Sequence, residues 1–131
     1  MLKSYRNIAE WQYLKGETVA ESALMPEQLR IVADLFGVLA EPTRLALLQE
    51  LRCGPKAVGE LVDELGAKQA NVSKQLGILF DAGFLGRERQ GNVVRYFIAD
   101  PMVFKLCELV CGKLKQDAER EYKALGGKVR R

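Results

Sequence analysis

The chain has 131 residues, 48% of them hydrophobic, and a formal net charge of only +3. That length suits one domain with a modest core, and so low a charge excludes a polycationic nucleic-acid coat, so that any affinity for nucleic acid has to come from where the cations are placed. Histidine is absent, which removes His-ligated metal sites and Ser-His-Asp triads together.

No apolar run is long enough for a membrane span, and Met1 to Arg6 lead into no apolar stretch of the secretory kind. Three cysteines cannot close a disulfide framework, which points to free or switchable thiols in a reducing cytoplasm.

In chain order, residues 1–24 read as an N-terminal arm of undefined structure. Tyr5, Ile8, Trp11 and Leu14 recur every three residues, which suits a short amphipathic turn before Gly16. Pro26 is placed to begin a helix, with Glu27 in its first turn and an apolar stripe of Leu29, Val32, Leu35, Phe36 and Leu39. Pro42 begins the next, in which Leu45, Leu47, Leu48 and Leu51 are expected to be buried before the break at Cys53-Gly54-Pro55. Val58 to Gly66 is a short amphipathic helix closed by glycine, and Lys68 to Phe80 a second one stopped at Gly83. A hairpin is predicted from Phe84 to Ile98, with Gln90-Gly91-Asn92 at its tip. Pro101 opens the last helix, which continues to about Leu125. Gly126-Gly127 releases a basic flexible tail, so the expected organisation is 1–24, 25–125 and 126–131.

Two short helices followed by a basic hairpin make a mainly α fold with a β-hairpin wing, a winged helix-turn-helix. In the second helix Val72, Leu76, Leu79 and Phe80 form the core stripe. Lys68, Gln69, Asn71, Ser73, Lys74 and Gln75 occupy its N-terminal half and outward face, where a helix in the major groove meets base edges. Asn and Gln can pair bidentately with adenine there, and Ser73 and the lysines suit phosphate. Arg87, Arg89 and Arg95, with Asn92 at the tip, place a cationic ribbon beside the minor groove. An enzyme is not expected: Glu60, Asp63 and Glu64 lie on one solvated helix face with no nucleophile–base pair or phosphate-cradling loop beside them. The alternative is a winged helix that binds protein rather than DNA and has no inducible sensor.

The span from about Pro26 to Lys115 resembles the ArsR-type (ArsR/SmtB) repressors. Leu39-Ala40-Glu41-Pro42-Thr43-Arg44-Leu45, Val58-Gly59-Glu60-Leu61, and Val72-Ser73-Lys74-Gln75-Leu76 with Leu79 and Ala82-Gly83-Phe84-Leu85 carry the likeness. Gln75 stands where relatives often have histidine. The resemblance implies a homodimer built by the first and last helices. It also implies a repressor bound to an imperfect inverted repeat of double-stranded DNA, released when an effector arrives. The family's Cys-x-Cys metal site is missing from Val58 to Asp63, and its second site, which uses histidine and carboxylates, lacks the histidine.

What remains is Cys53 at the end of the helix that Pro42 begins and Cys107 with Cys111 on the last; persulfide- and oxidant-sensing relatives have one cysteine in each of those helices. Cys107 and Cys111 are four apart on a helix, about 5–6 Å between Cβ atoms, whereas a disulfide wants roughly 3.8 Å. A bond from Cys53 to either is the better disulfide candidate. No cofactor is required. Thiol oxidation or persulfidation is the leading inducer chemistry, and capture of As(III) or another thiophilic ion by the three thiolates comes second. The bland reading of Cys107 or Cys111 is a small buried hydrophobe.

Overall fold

A computed structural model describes residues 7–15 and 23–127, which fall into two compact units: residues 26–105, and residues 7–15 and 23–25 together with 106–127. The elements in order are α1 (Ile8–Lys15), α2 (Pro26–Leu39), α3 (Pro42–Leu51), β1 (Lys56–Ala57), α4 (Val58–Leu65), α5 (Gln69–Asp81), β2 (Leu85–Gln90), β3 (Val93–Ile98) and α6 (Met102–Ala124).

The larger unit is built by local signals that agree with one another. Pro26 and Pro42 each stand at the first helical position, where the missing N–H costs nothing. Glu41 caps α3 by accepting the Arg44 N–H at 3.0 Å, which draws its carboxyl below the ordinary glutamate value, chiefly through backbone N–H donation from Thr43 and Arg44. Glu60 reaches back to accept the Ala57 N–H at the start of α4, and left-handed Gly66 closes that helix. Within this unit the core is drawn from every element but α2 and β1: Leu47, Leu48 and Leu51 from α3, Leu61 from α4, Val72, Leu76 and Leu79 from α5, Phe84 and Leu85, Tyr96 from β3 and Val103 from the first turn of α6. Each such leucine adds about 1.5–3 kcal/mol over an exposed one.

Three expectations need correcting. Leu45 is 48% exposed rather than buried, because it points away from the face of α3 that meets α4 and α5. The α2 stripe is only half covered: Val32, Leu35 and Leu39 are partly buried, but Leu29 and Phe36 face solvent. A third strand, β1, pairs antiparallel with β3 (Lys56 opposite Tyr96, Ala57 opposite Arg95), giving the order β1-β3-β2. Lys56 is also clamped by Glu50 of α3 at 3.2 Å and Glu64 of α4 at 2.6 Å. The hydrogen bond it donates to Glu64 holds the Lys56 ammonium above its usual value, while Glu50 and then Lys56 hold Glu64 below its own.

In the smaller unit, the arm of undefined structure contains a helix. The Asn7 side chain accepts the Glu10 N–H at 2.8 Å in the first turn of α1. Tyr5, the side chains of Trp11 and Leu14, and the tail from Lys128 to Arg131 lie outside the described residues. Helix α6 carries an i,i+4 ion pair between Lys113 and Asp117 and exposes Leu109, Val110 and Leu114. No described helix is long and apolar enough to cross a membrane.

Candidate nucleic-acid interface

Helices α4 and α5 pack together and on α3, and the chain turns between them at Gly66-Ala67-Lys68. Lys68 is the N-cap of α5, but its side chain makes no capping hydrogen bond, so the open N–H groups of the first turn favour an anion such as phosphate. Val72, Gln75, Leu76 and Leu79 face inward. At 100° per residue the opposite face is centred on Ala70, Ser73, Lys74 and Gly77, with Gln69 and Asn71 on its two flanks. Lys68, Gln69, Ala70, Asn71, Ser73 and Lys74 are all exposed. Ala70 went unnoticed in the sequence because it is neither polar nor charged, yet a small methyl there suits a thymine methyl group.

Gln75 does not join them. It is 9% exposed, its Oε1 accepts from Arg44 Nη1 at 2.7 Å, and its Nε2 donates to Asn71 Oδ1 at 3.1 Å. Expected on the reading face, it is a tie inside the protein. Its place among Val72, Leu76 and Leu79 on the buried stripe is the signal that shows this. Arg44 was overlooked as a functional residue. Besides Gln75, it donates through Nε to the Val38 carbonyl and through Nη2 to the Gly37 carbonyl at 3.4 Å. Val38 is four residues before Pro42, which has no N–H to offer, so the guanidinium takes over that carbonyl.

The hairpin runs as expected, Leu85–Gln90 to Val93–Ile98. Gly91, with φ 64°, is the first residue of the two-residue turn, where a type II′ turn demands a positive φ. Asn92 beside it is exposed at the tip. The register, Arg87 to Tyr96, Glu88 to Arg95 and Arg89 to Val94, sorts the arginines by face, because side chains alternate along a strand. Arg87 and Arg89 share the face of Leu85 and Tyr96, and the Arg87 guanidinium lies 4.1 Å from the centre of the Phe80 ring of α5. Arg95 is on the other face, with Glu88 directly across. Among the described residues, none of Lys68, Lys74, Arg87, Arg89 and Arg95 is held in an ion pair, unlike Lys56 and Lys113. On α5 and the wing these charges are open to a polyanion.

All three cysteines are free thiols: Cys53 and Cys111 exposed, Cys107 partly buried. Cys53 is on the wall of an open pocket of about 200 Å³ lined also by Leu51, Arg52, Pro55, Phe97, Ile98 and Phe104. Cys107 and Cys111 lie one turn apart on α6. Among the described residues no three Cys, Asp or Glu side chains gather as a metal site.

The helix-turn-helix domain family matches residues 39–86, the stretch from the end of α2 into β2. The chain is 40% identical over 77 residues to the probable mercury resistance operon repressor of Streptomyces lividans, covering 59% of this chain and 62% of that protein. It is 37% identical over 78 residues to the HTH-type transcriptional regulator Rv0081 of Mycobacterium tuberculosis, covering 59% of this chain and 68% of that one. The crystal structure of Rv0081 superposes with a TM-score of 0.68 at 31% identity, over 75% of this chain and 98% of Rv0081. The homodimeric winged helix-turn-helix DNA-binding domain of Mb0332 from Mycobacterium bovis gives 0.67 at 27% identity, over 78% and 95%. The relatives include transcriptional repressors, and the family consists of DNA-binding regulators, which are not enzymes. On its helix-turn-helix, its wing and these likenesses, the chain belongs to the ArsR/SmtB family of winged helix-turn-helix transcriptional regulators.

Proposed function

We propose that this chain is a homodimeric repressor that binds an imperfect inverted repeat in DNA and lets go when a thiol-directed effector arrives. The observation that carries the DNA reading is the set of exposed cations without ion pairs on α5 and the wing, flanking the exposed Gln69, Asn71 and Ser73. Residues 25–125 serve as the DNA-binding and dimerising module. Exposed Leu29, Ile31 and Phe36 on α2, and Leu109, Val110 and Leu114 on α6, suit burial in a second copy. Two-fold symmetry then sets half-site centres about 34–36 Å apart, or a multiple of that.

The effector acts at Cys53 together with Cys111 first and Cys107 second. Oxidation or persulfide chemistry leads, and As(III) bound by the thiolates follows. The mercury-related name of the Streptomyces lividans relative supports a soft, thiol-seeking inducer. A coupling of about 1–3 kcal/mol changes operator affinity about 5–150-fold, enough for a switch. The test is an electrophoretic shift on the gene's own upstream DNA with reduced, oxidised, persulfide-treated and As(III)-treated protein, read beside mass spectrometry. A Cys53 cross-link or metal adduct is expected under the releasing condition, and Cys53→Ser should hold its operator. Normal release by Cys53→Ser under every thiol-directed inducer defeats the sensor; no shift on any DNA defeats the repressor and favours a protein-binding winged helix.

A further inference from the structure

The bond between Arg44 and Gln75 has a polarity that chemistry leaves no freedom to reverse. A guanidinium has five donors and no acceptor, so the Gln75 atom 2.7 Å from Arg44 Nη1 is the amide oxygen. The Gln75 nitrogen is thereby turned toward Asn71, 3.1 Å away, and requires an oxygen there. Asn71 Oδ1 is drawn to Gln75, and its Nδ2, which makes no hydrogen bond among the described residues, is the group left at the exposed flank of α5. Arg44 is itself held by the Val38 and Gly37 carbonyls at the end of α2. The direction of the chain of bonds is therefore set from outside α5.

From this relay we propose that Asn71 reads one base of each half-site as a donor only, that Gln75 and Arg44 are the positioning residues that make it so, and that the base it selects is guanine. The proposal rests on the DNA-binding reading above and deepens it. A free asparagine in the major groove pairs with adenine by using its oxygen and its nitrogen together. With the oxygen turned inward to Gln75, the amide hydrogens are the groups presented outward, and they need an acceptor. Guanine offers two, O6 and N7; adenine and thymine offer one each beside other groups; cytosine offers only its amine, a donor. The expected order at that position is guanine first and cytosine last.

The sharpest test reverses the relay. In Gln75→Glu the carboxylate accepts from Arg44 with one oxygen and from Asn71 Nδ2 with the other, so Asn71 must turn Oδ1 outward and seek a donor, the cytosine or adenine amine. Full-length wild type, Gln75→Glu, Asn71→Ala and Arg44→Ala are each used to select binding sites from a randomised duplex pool. Wild type should favour guanine over cytosine at one position per half-site by on the order of fivefold to tenfold, the worth of one hydrogen bond. Asn71→Ala and Arg44→Ala should flatten that position alone, and Gln75→Glu should invert it toward cytosine or adenine. A loss of fold or packing has no means of inverting one base preference while sparing the rest.

Should Gln75→Glu not fold, judged by circular dichroism, wild type and Asn71→Ala are titrated against the selected duplex with 7-deazaguanine at that position. The modified base should weaken wild type and leave Asn71→Ala unchanged. Equal weakening of both, a Gln75→Glu profile that superposes on wild type, or an Asn71→Ala profile unchanged everywhere overturns the relay while leaving DNA binding intact. A wild type that selects no sequence at all overturns the DNA-binding reading beneath it.

Discussion

Replacing Arg89 and Arg95 separately by alanine should separate the two faces of the wing. Arg89 lies on the face where Arg87 stacks against Phe80 of α5, whereas Arg95 projects oppositely with Glu88 across from it. Each phosphate neutralised adds about 0.9 to the slope of log affinity against log salt. With Lys68, Lys74, Arg87 and Arg89 engaged in both protomers, the limiting slope is about −7. Losing Arg89 twice over should make it shallower by about 1.8, so that between 50 and 200 mM salt the variant loses roughly 12-fold less affinity than wild type does. Losing Arg95 should change the slope by less than about 0.9, because Glu88 already opposes that charge. Fluorescence anisotropy on one labelled operator across that salt range measures both. Equal slopes for Arg89→Ala and wild type, or a larger change for Arg95→Ala, would refute the assignment of faces.

Three further outcomes follow from contacts inside the larger unit. Arg44→Ala leaves the buried Gln75 oxygen and the Val38 carbonyl without their donor, and should lower unfolding free energy by about 1–3 kcal/mol in urea titrations; Arg44→Ala in a Gln75→Leu background should cost measurably less. A Cβ on Gly86 would overlap the Phe97 ring directly across the hairpin, so Gly86→Ala should destabilise by about 1–3 kcal/mol, seen as a lower thermal midpoint. Glu41 and Glu64 both have folded carboxyl groups held below their usual range. Their stabilisation is complete above about pH 4, the unfolded value, and is lost as the pH falls through the lower folded values. Glu41→Gln should therefore lower stability at neutral pH and close on wild type in acid, in denaturation curves from pH 7 to 2.

The elements most readable in the sequence were those set by local rules. Pro26 and Pro42 begin α2 and α3, Gly66 ends α4, and Gly91-Asn92 turns the hairpin, because each depends on a few adjacent dihedrals. Strand β1 was missed, since two residues, Lys56 and Ala57, carry no periodicity and owe their conformation to pairing with β3. Arg44 and Gln75 meet across 31 positions, beyond any window of local pattern. The spacing of α2 marked an apolar face correctly, but spacing does not say whether that face is covered by its own chain, and Leu29 and Phe36 are not. The opposed faces of Arg89 and Arg95 were within reach: a two-residue turn at Gly91-Asn92 fixes the register, and alternation does the rest.

Strand β2 ends the sheet on one side, since the order is β1-β3-β2. Its outer hydrogen-bonding row is a template on which another chain could add itself as a further strand. Gly86-Arg87-Glu88-Arg89-Gln90 is poorly suited to accept one: it has no β-branched residue and carries three charges in succession. The arginines assigned to DNA thus also guard an open margin against aggregation. A wing stripped of Arg87 and Arg89 together would lose solubility as well as grip, and the two losses would need separate assays to be told apart.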